Sequence, residues 1–191
     1  MPLLSIEGLG ISFGGLKAVN DVSFTVKPGE IVSVIGPNGA GKTTLFNMIS
    51  GVYQPGSGKV ILNGEDVTAM SPHLLARRGM CRTFQNLQVF QSMTVLENVV
   101  SGYHLQESGH VLSDLLNLPA SRRRAKEAEA GARELLKRVG LERAAEREAG
   151  SLSYGSLKRL EIARAMTLQP KGLLLDEPAA GCNAVETEEI D

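Results

Sequence analysis

The 191-residue sequence predicts an α/β protein, a parallel sheet covered by helices and carrying an inserted helical lobe. Three observations predict it. Short apolar, β-branched runs alternate with runs of helical period. A glycine-rich stretch, "GPNGAGKTT" from Gly36 to Thr44, lies between a predicted strand and a predicted helix. From Ser92 the texture changes, and about 60 residues of largely helical spacing follow before the strand–helix alternation resumes.

The elements follow in order. "LLSIEG" and "VSFTV" read as short strands, the second with Val22, Phe24 and Val26 alternating, and "KPGE" as a turn. "IVSVIG", Ile31 to Gly36, is apolar and β-branched enough for a buried parallel strand. A helix fits Lys42 to Ser50, closed by Gly51. "QPGSGKVILNGEDV" reads as turn, strand and turn. Ser71-Pro72 opens a short helix to Arg78, and "MCRTFQ" reads as a strand. "SMTVLENVVSGYHL" has helical spacing at Val95, Val99 and Tyr103, while "HVLSDLLNLPA" fits either a helix or a loop. In "SRRRAKEAEAGARELLKRVGL", Ala128, Ala132, Leu135, Leu136 and Val139 form one apolar stripe. A last helix fits Leu157 to Leu168, with Leu157, Leu160 and Ala163 inward, before the strand "GLLLDE". The helical lobe is expected over about residues 92–155.

Bulk properties exclude several classes. The net charge of -1 offers no electrostatic grip on DNA or RNA. No apolar run approaches the roughly 18 residues of a membrane span, and the N-terminus lacks a secretory pattern. Cys81 and Cys182 stand apart, without metal or disulfide spacing. The expectation is one soluble cytosolic domain, rich in glycine for loops that approach a ligand closely. His73, His104 and His110 are expected at the surface, and Met80, Met93 and Met166 in packing roles. Arg122–Arg124 reads as a solvated helix start, with headgroup or partner contact as the alternative.

Two motifs carry chemistry. The Gly36–Thr44 stretch fits a phosphate loop. Gly39 and Gly41 let the backbone turn its N–H groups toward phosphate oxygens, and Gly36, Asn38, Ala40 and Thr44 complete the cradle. Lys42 brings a point charge to the outer phosphates, aided by the helix dipole, and Thr43 offers a hydroxyl to Mg²⁺. A Mg²⁺-bound nucleotide is the ligand this implies. The second motif, "LLLDEP", delivers Asp176 toward Mg²⁺ at the end of an apolar strand, with Glu177 beside it to polarise an attacking water. A solvated strand end is the bland alternative.

With "RTFQ" (Arg82–Gln85) and "LSYGS" (Leu152–Ser156) between them, the chain resembles the ATP-binding subunits of ABC transporters from about residue 3 to its end. The resemblance implies a P-loop ATPase, using ATP with Mg²⁺, with an antiparallel β part before a mostly parallel core. It implies that Phe13 stacks on adenine, a core or edge aromatic being the alternative. It makes Gln85 a Mg²⁺-site residue coupled to the helical lobe, a solvated loop amide being the alternative. Ser153 and Gly155 would serve the ATP of a second, head-to-tail subunit, and "AAGCN" (Ala179–Asn183) would bridge the two sites. The implied partners are that second subunit, transmembrane permease subunits and, indirectly, a solute-binding protein, at the cytoplasmic face of the membrane and without nucleic acid.

"FGGLKAVNDVSF", "RTFQNLQVFQSMTVLENV" and "LSYGSLKRLEIARA" look most like ATPases of branched-chain amino-acid importers. The sequence departs from the pattern at Ser156-Leu157, where glutamine is usual after the signature, and at Cys182, where leucine is usual. The family's further strand, ending in a histidine, has no counterpart beyond His110, so the domain is expected to be incomplete at its C-terminal end. A non-hydrolysing nucleotide-binding module or inactive fragment, and a soluble ABC ATPase of repair or translation, are the alternative functions.

Overall fold

The structure is a computed structural model, and it describes residues 1–83, 87–103 and 119–177. These form two compact units. The first joins Met1–Arg82 to Pro170–Asp176; the second is built from the described residues of Thr83–Gln169 together with Glu177.

The first unit begins with a long hairpin, β1 (Leu4–Phe13) and β2 (Leu16–Val26), each about twice the length its sequence pattern suggests. Gly14 and Gly15 make the turn, both at positive φ, the backbone that matches the twist of a two-residue hairpin. Beyond the hairpin, α1 (Lys42–Ile49) precedes β3 (Ser57–Leu62) and the two-residue β4 (Glu65–Asp66). The four strands form an antiparallel sheet in the order β2-β1-β3-β4. Leu4 and Ile6 of β1 and Val60 and Leu62 of β3 are buried, and Leu45, Met48 and Ile49 of α1 pack into the same core. The helix ends as predicted. Gly51 at φ 73 donates to the Met48 carbonyl and Val52 to that of Asn47, satisfying two terminal acceptors.

Helix α2 (Pro72–Arg77) starts with proline, but the Ser71 hydroxyl meets His73 Nδ1 at 3.0 Å instead of capping the backbone. The strand predicted in "MCRTFQ" is only β5 (Met80–Arg82), and residues 84–86 lie outside the described set. Strand β5 pairs in parallel with β6 (Gly172–Leu174), Arg82 in register with Leu174. Among the described residues these two strands make up the parallel part of the fold.

One predicted element is corrected. Ile31–Gly36 forms no strand, and Ile31 and Ile35 are 94% and 93% exposed. Its residues have strand propensity, but a strand exists only as part of a ladder, and among the described residues none lies beside it.

The second unit is helical. Helix α3 (Val95–Tyr103) opens on a reciprocal cap. Glu97 N–H donates to Thr94 Oγ1 (3.1 Å), and Thr94 N–H donates to Glu97 Oε2 (2.8 Å). Helix α4 (Pro119–Arg138) buries Ala132 and Leu136 of the predicted stripe and half-buries Ala128 and Leu135. Its arginine run lies on the outer flank, Arg123 paired with Glu127 at 2.8 Å. Helix α5 spans Tyr154–Met166, three residues earlier at its start than the apolar period predicts, because Ser153 caps it. Val95, Val99, Leu136, Leu160 and Ala163 meet in the core of this unit. Of the segment "HVLSDLLNLPA", only its last two residues are described, as the start of α4.

Candidate nucleotide site

The loop from Gly36 to Gly41 turns into α1 through left-handed backbone at Gly39 (φ 82) and Gly41 (φ 85). Gly41 stands at the N-cap, where a Cβ would collide with the Ala18 carbonyl oxygen of β2. Only glycine meets both demands. Inside the loop, Lys42 Nζ donates to the carbonyls of Gly36 (2.7 Å) and Pro37 (3.0 Å). The ammonium is thus held at the mouth of the loop by neutral dipoles, with Asn38, Gly39, Ala40 and Thr43 exposed and Thr44 half-buried. Unsatisfied N–H groups at a helix start plus a held cation form an anion site.

Asp176 follows β6 and is 5% exposed. It accepts from Arg82 Nη2 at 2.7 Å, and the other terminal nitrogen, Nη1, donates to Asn47 Oδ1 (2.7 Å) and Ser50 Oγ (2.8 Å) of α1. The guanidinium also lies 5.9 Å from the Phe46 ring centroid. Phe13, on β1, is 47% exposed and meets Tyr53 edge-on, ring centroids 5.7 Å apart. Glu177 is exposed, in left-handed backbone at φ 49.

In the helical unit, Ser153 Oγ accepts from Ser156 N–H (3.3 Å) and donates to Ser156 Oγ (3.2 Å). Ser156, which stands where the resemblance expects glutamine, therefore serves the cap. Ser153 is exposed and Gly155 buried beneath it.

These features have known counterparts. A family model described as "ABC transporter" matches residues 19–180. The chain belongs to the ABC transporter family. It is 48% identical over 190 residues to the high-affinity branched-chain amino acid transport ATP-binding protein LivG of Escherichia coli K12, covering 100% of this chain and 74% of that protein. With BraF of Pseudomonas aeruginosa, of like description, it is 47% identical, covering 99% and 74%. The lipopolysaccharide export ATP-binding protein LptB of Haemophilus influenzae is 37% identical, covering 100% and 73%. The ADP conformation of MJ1267, an ATP-binding cassette of an ABC transporter, superposes with a TM-score of 0.84 at 35% identity, over all of this chain and 74% of that one.

As an ABC-type ATP-binding subunit, the chain holds its phosphate-loop residues and Asp176 in the first unit and Ser153 and Gly155 in the second. Gln85 and the segment Ala179–Asn183, with Cys182, lie outside the described residues. Three participants escaped the sequence reading. Arg82 is the first residue of the quoted "RTFQ", but nothing in the segment marks its partner as Asp176. Tyr53 had no signal beyond being an aromatic after a helix end. Asn98, fully buried, accepts from Phe90 N–H and donates to the carbonyls of Phe90 and Thr94, all at 2.9 Å, fixing the loop after the glutamine segment. It was hidden inside an apolar helical pattern.

Proposed function

We propose that this chain is the ATP-hydrolysing subunit of an ABC importer for branched-chain amino acids. The observation that carries the reading is the phosphate loop, with Gly41 pressed on β2 and Lys42 held over the loop carbonyls. The 48% identity to LivG, named for branched-chain amino acid transport, supports the choice of solute.

In this reading the N–H groups of Gly36 and of Asn38 to Thr44 and the Lys42 ammonium bind the phosphates, and Phe13 stacks on adenine. Thr43, Asp176 and Gln85 hold Mg²⁺; the described donors are a hydroxyl and a carboxylate, the hard oxygen ligands that ion takes. Held by those residues, such an ion would supply positive charge to offset that of the phosphates. Glu177 accepts a hydrogen bond from water and orients it for in-line attack on the γ-phosphorus, as the bond to the ADP oxygen breaks. Ser153 and Gly155 close over the nucleotide of a second, head-to-tail subunit. The helical unit passes the motion to permease subunits, which receive solute from a binding protein. The chain sits at the cytoplasmic face of the membrane, and no helix among the described residues is long and apolar enough to cross it.

The test is Glu177→Gln. Nucleotide binding is expected to persist while steady phosphate release stops, and undiminished release refutes the hydrolytic role. Phosphate release by the parent chain that vanishes in Lys42→Ala excludes a non-hydrolysing module. Turnover with the permease that leucine-loaded binding protein does not stimulate refutes the solute assignment.

A further inference from the structure

A buried cation outside the two sequence motifs ties one of them to the other. Arg82 and Asp176 each keep only 6% of their side-chain surface exposed. The register explains their meeting: Arg82 pairs with Leu174, and Asp176 lies two residues further on, the same side in extended chain. The guanidinium then divides its fork. Nη2 holds Asp176 Oδ2, while Nη1 turns to Asn47 in the last turn of α1 and to Ser50 at its C-cap, and Phe46 covers its face.

This division is informative. An arginine whose task is to neutralise a carboxylate commonly engages both oxygens in parallel. Here the second nitrogen is spent on the helix, and among the described residues Asp176 Oδ1 accepts no hydrogen bond. The helix in question is the one that begins at the phosphate loop and carries Thr43 in its first turn. One rigid, planar side chain therefore connects Asp176 to the element bearing Thr43. A lysine is a point charge on a flexible stem and does not hold such a fork.

We propose that Arg82 is a positioning residue for the Mg²⁺ site: it fixes Asp176 against the phosphate-loop helix and leaves Oδ1 open toward the ion. The proposal rests on the nucleotide reading above. It makes Mg²⁺ use depend on the Arg82 fork, and nucleotide affinity without Mg²⁺ only on the Arg82 charge.

The experiment measures binding of trinitrophenyl-ATP to the purified chain in EDTA, then titrates Mg²⁺ at fixed nucleotide. In Arg82→Lys the affinity in EDTA is expected to stay within about twofold of the parent, while the Mg²⁺ half-point rises about tenfold. Asn47→Ala removes one brace and keeps the ion pair, so a smaller rise of about threefold is expected in the same direction. An unchanged half-point in Arg82→Lys, or equal losses with and without Mg²⁺, overturns the proposal as that of a structural residue. Should Arg82→Lys not fold, Asn47→Ala decides alone, and an unchanged half-point there overturns it. A parent chain that binds no nucleotide, or binds it as well in Lys42→Ala, overturns the nucleotide reading itself and is told apart by that control.

Discussion

Gly39 and Gly41 have nearly the same backbone, φ 82 and φ 85, in different surroundings. A Cβ on Gly39 meets nothing within 4 Å, whereas one on Gly41 runs into the Ala18 carbonyl and comes within 3.3 Å of Val19 Cγ2. Alanine at Gly39 therefore carries only the left-handed penalty, about 1–2 kcal/mol. At Gly41 the same penalty is joined by an overpacking cost of about 1–3 kcal/mol, because a backbone oxygen of a paired strand cannot rotate aside. For a chain of this size each kcal/mol moves the midpoint by about 2–4 °C, so Gly39→Ala is expected to lower Tm by about 4 °C and Gly41→Ala by about 10 °C. Thermal denaturation followed by circular dichroism measures both. Equal shifts in the two variants would refute the claim that α1 is seated on β2 at this point.

Two further predictions concern the helical unit. Asn98→Ala takes away the partner of the Phe90 amide, while the Phe90 and Thr94 carbonyls keep the N–H groups of Met93 and Asn98, so a loss of about 1–3 kcal/mol is expected in urea denaturation, with faster hydrogen exchange at Phe90. Thr94→Ala should cost about 1 kcal/mol as a lost cap. The hydrogen bond from the Thr94 backbone, and then the one from its hydroxyl, hold the Glu97 carboxyl below its ordinary value. A depressed folded value contributes stability above the unfolded pKa of about 4.3, and that contribution is lost as pH falls through the folded value. The parent should therefore exceed Glu97→Gln in stability at pH 6, with the gap closing below about pH 4. A gap that persists at pH 3 would contradict the assignment.

Helices were legible wherever one face had to be apolar. Ala132 and Leu136 lie in the core because the stripe has only one place to go. Terminators that act locally were legible too: Gly51 ends α1 by its own backbone geometry. The Ile31–Gly36 strand shows the limit of such reasoning, because pairing belongs to two segments and propensity to one. Likewise, the phosphate loop is contiguous, so its residues announce themselves together. Arg82 and Asp176 are 94 positions apart, and only the parallel register of β5 and β6 makes them neighbours. The Gly14-Gly15 turn was readable in principle as a hairpin signal.

The charges of the first unit explain why the two motifs need Arg82 between them. Lys42 is held by carbonyl dipoles, and among the described residues it makes no ion pair, so its charge is not cancelled by a carboxylate. The positive end of α1 adds to it. A phosphate arriving there displaces no carboxylate of the described residues. Asp176 presents the opposite problem, since a bare carboxylate in the same unit opposes a triphosphate. Like charges sharing one site repel, and at an effective dielectric of about 20 that repulsion is felt over several ångströms. Pairing with Arg82 at 2.7 Å offsets much of that repulsion while holding the carboxylate in place. The cation that braces the acid therefore also makes its presence compatible with the anion site, and an Arg82 replacement that keeps only the charge separates these two effects.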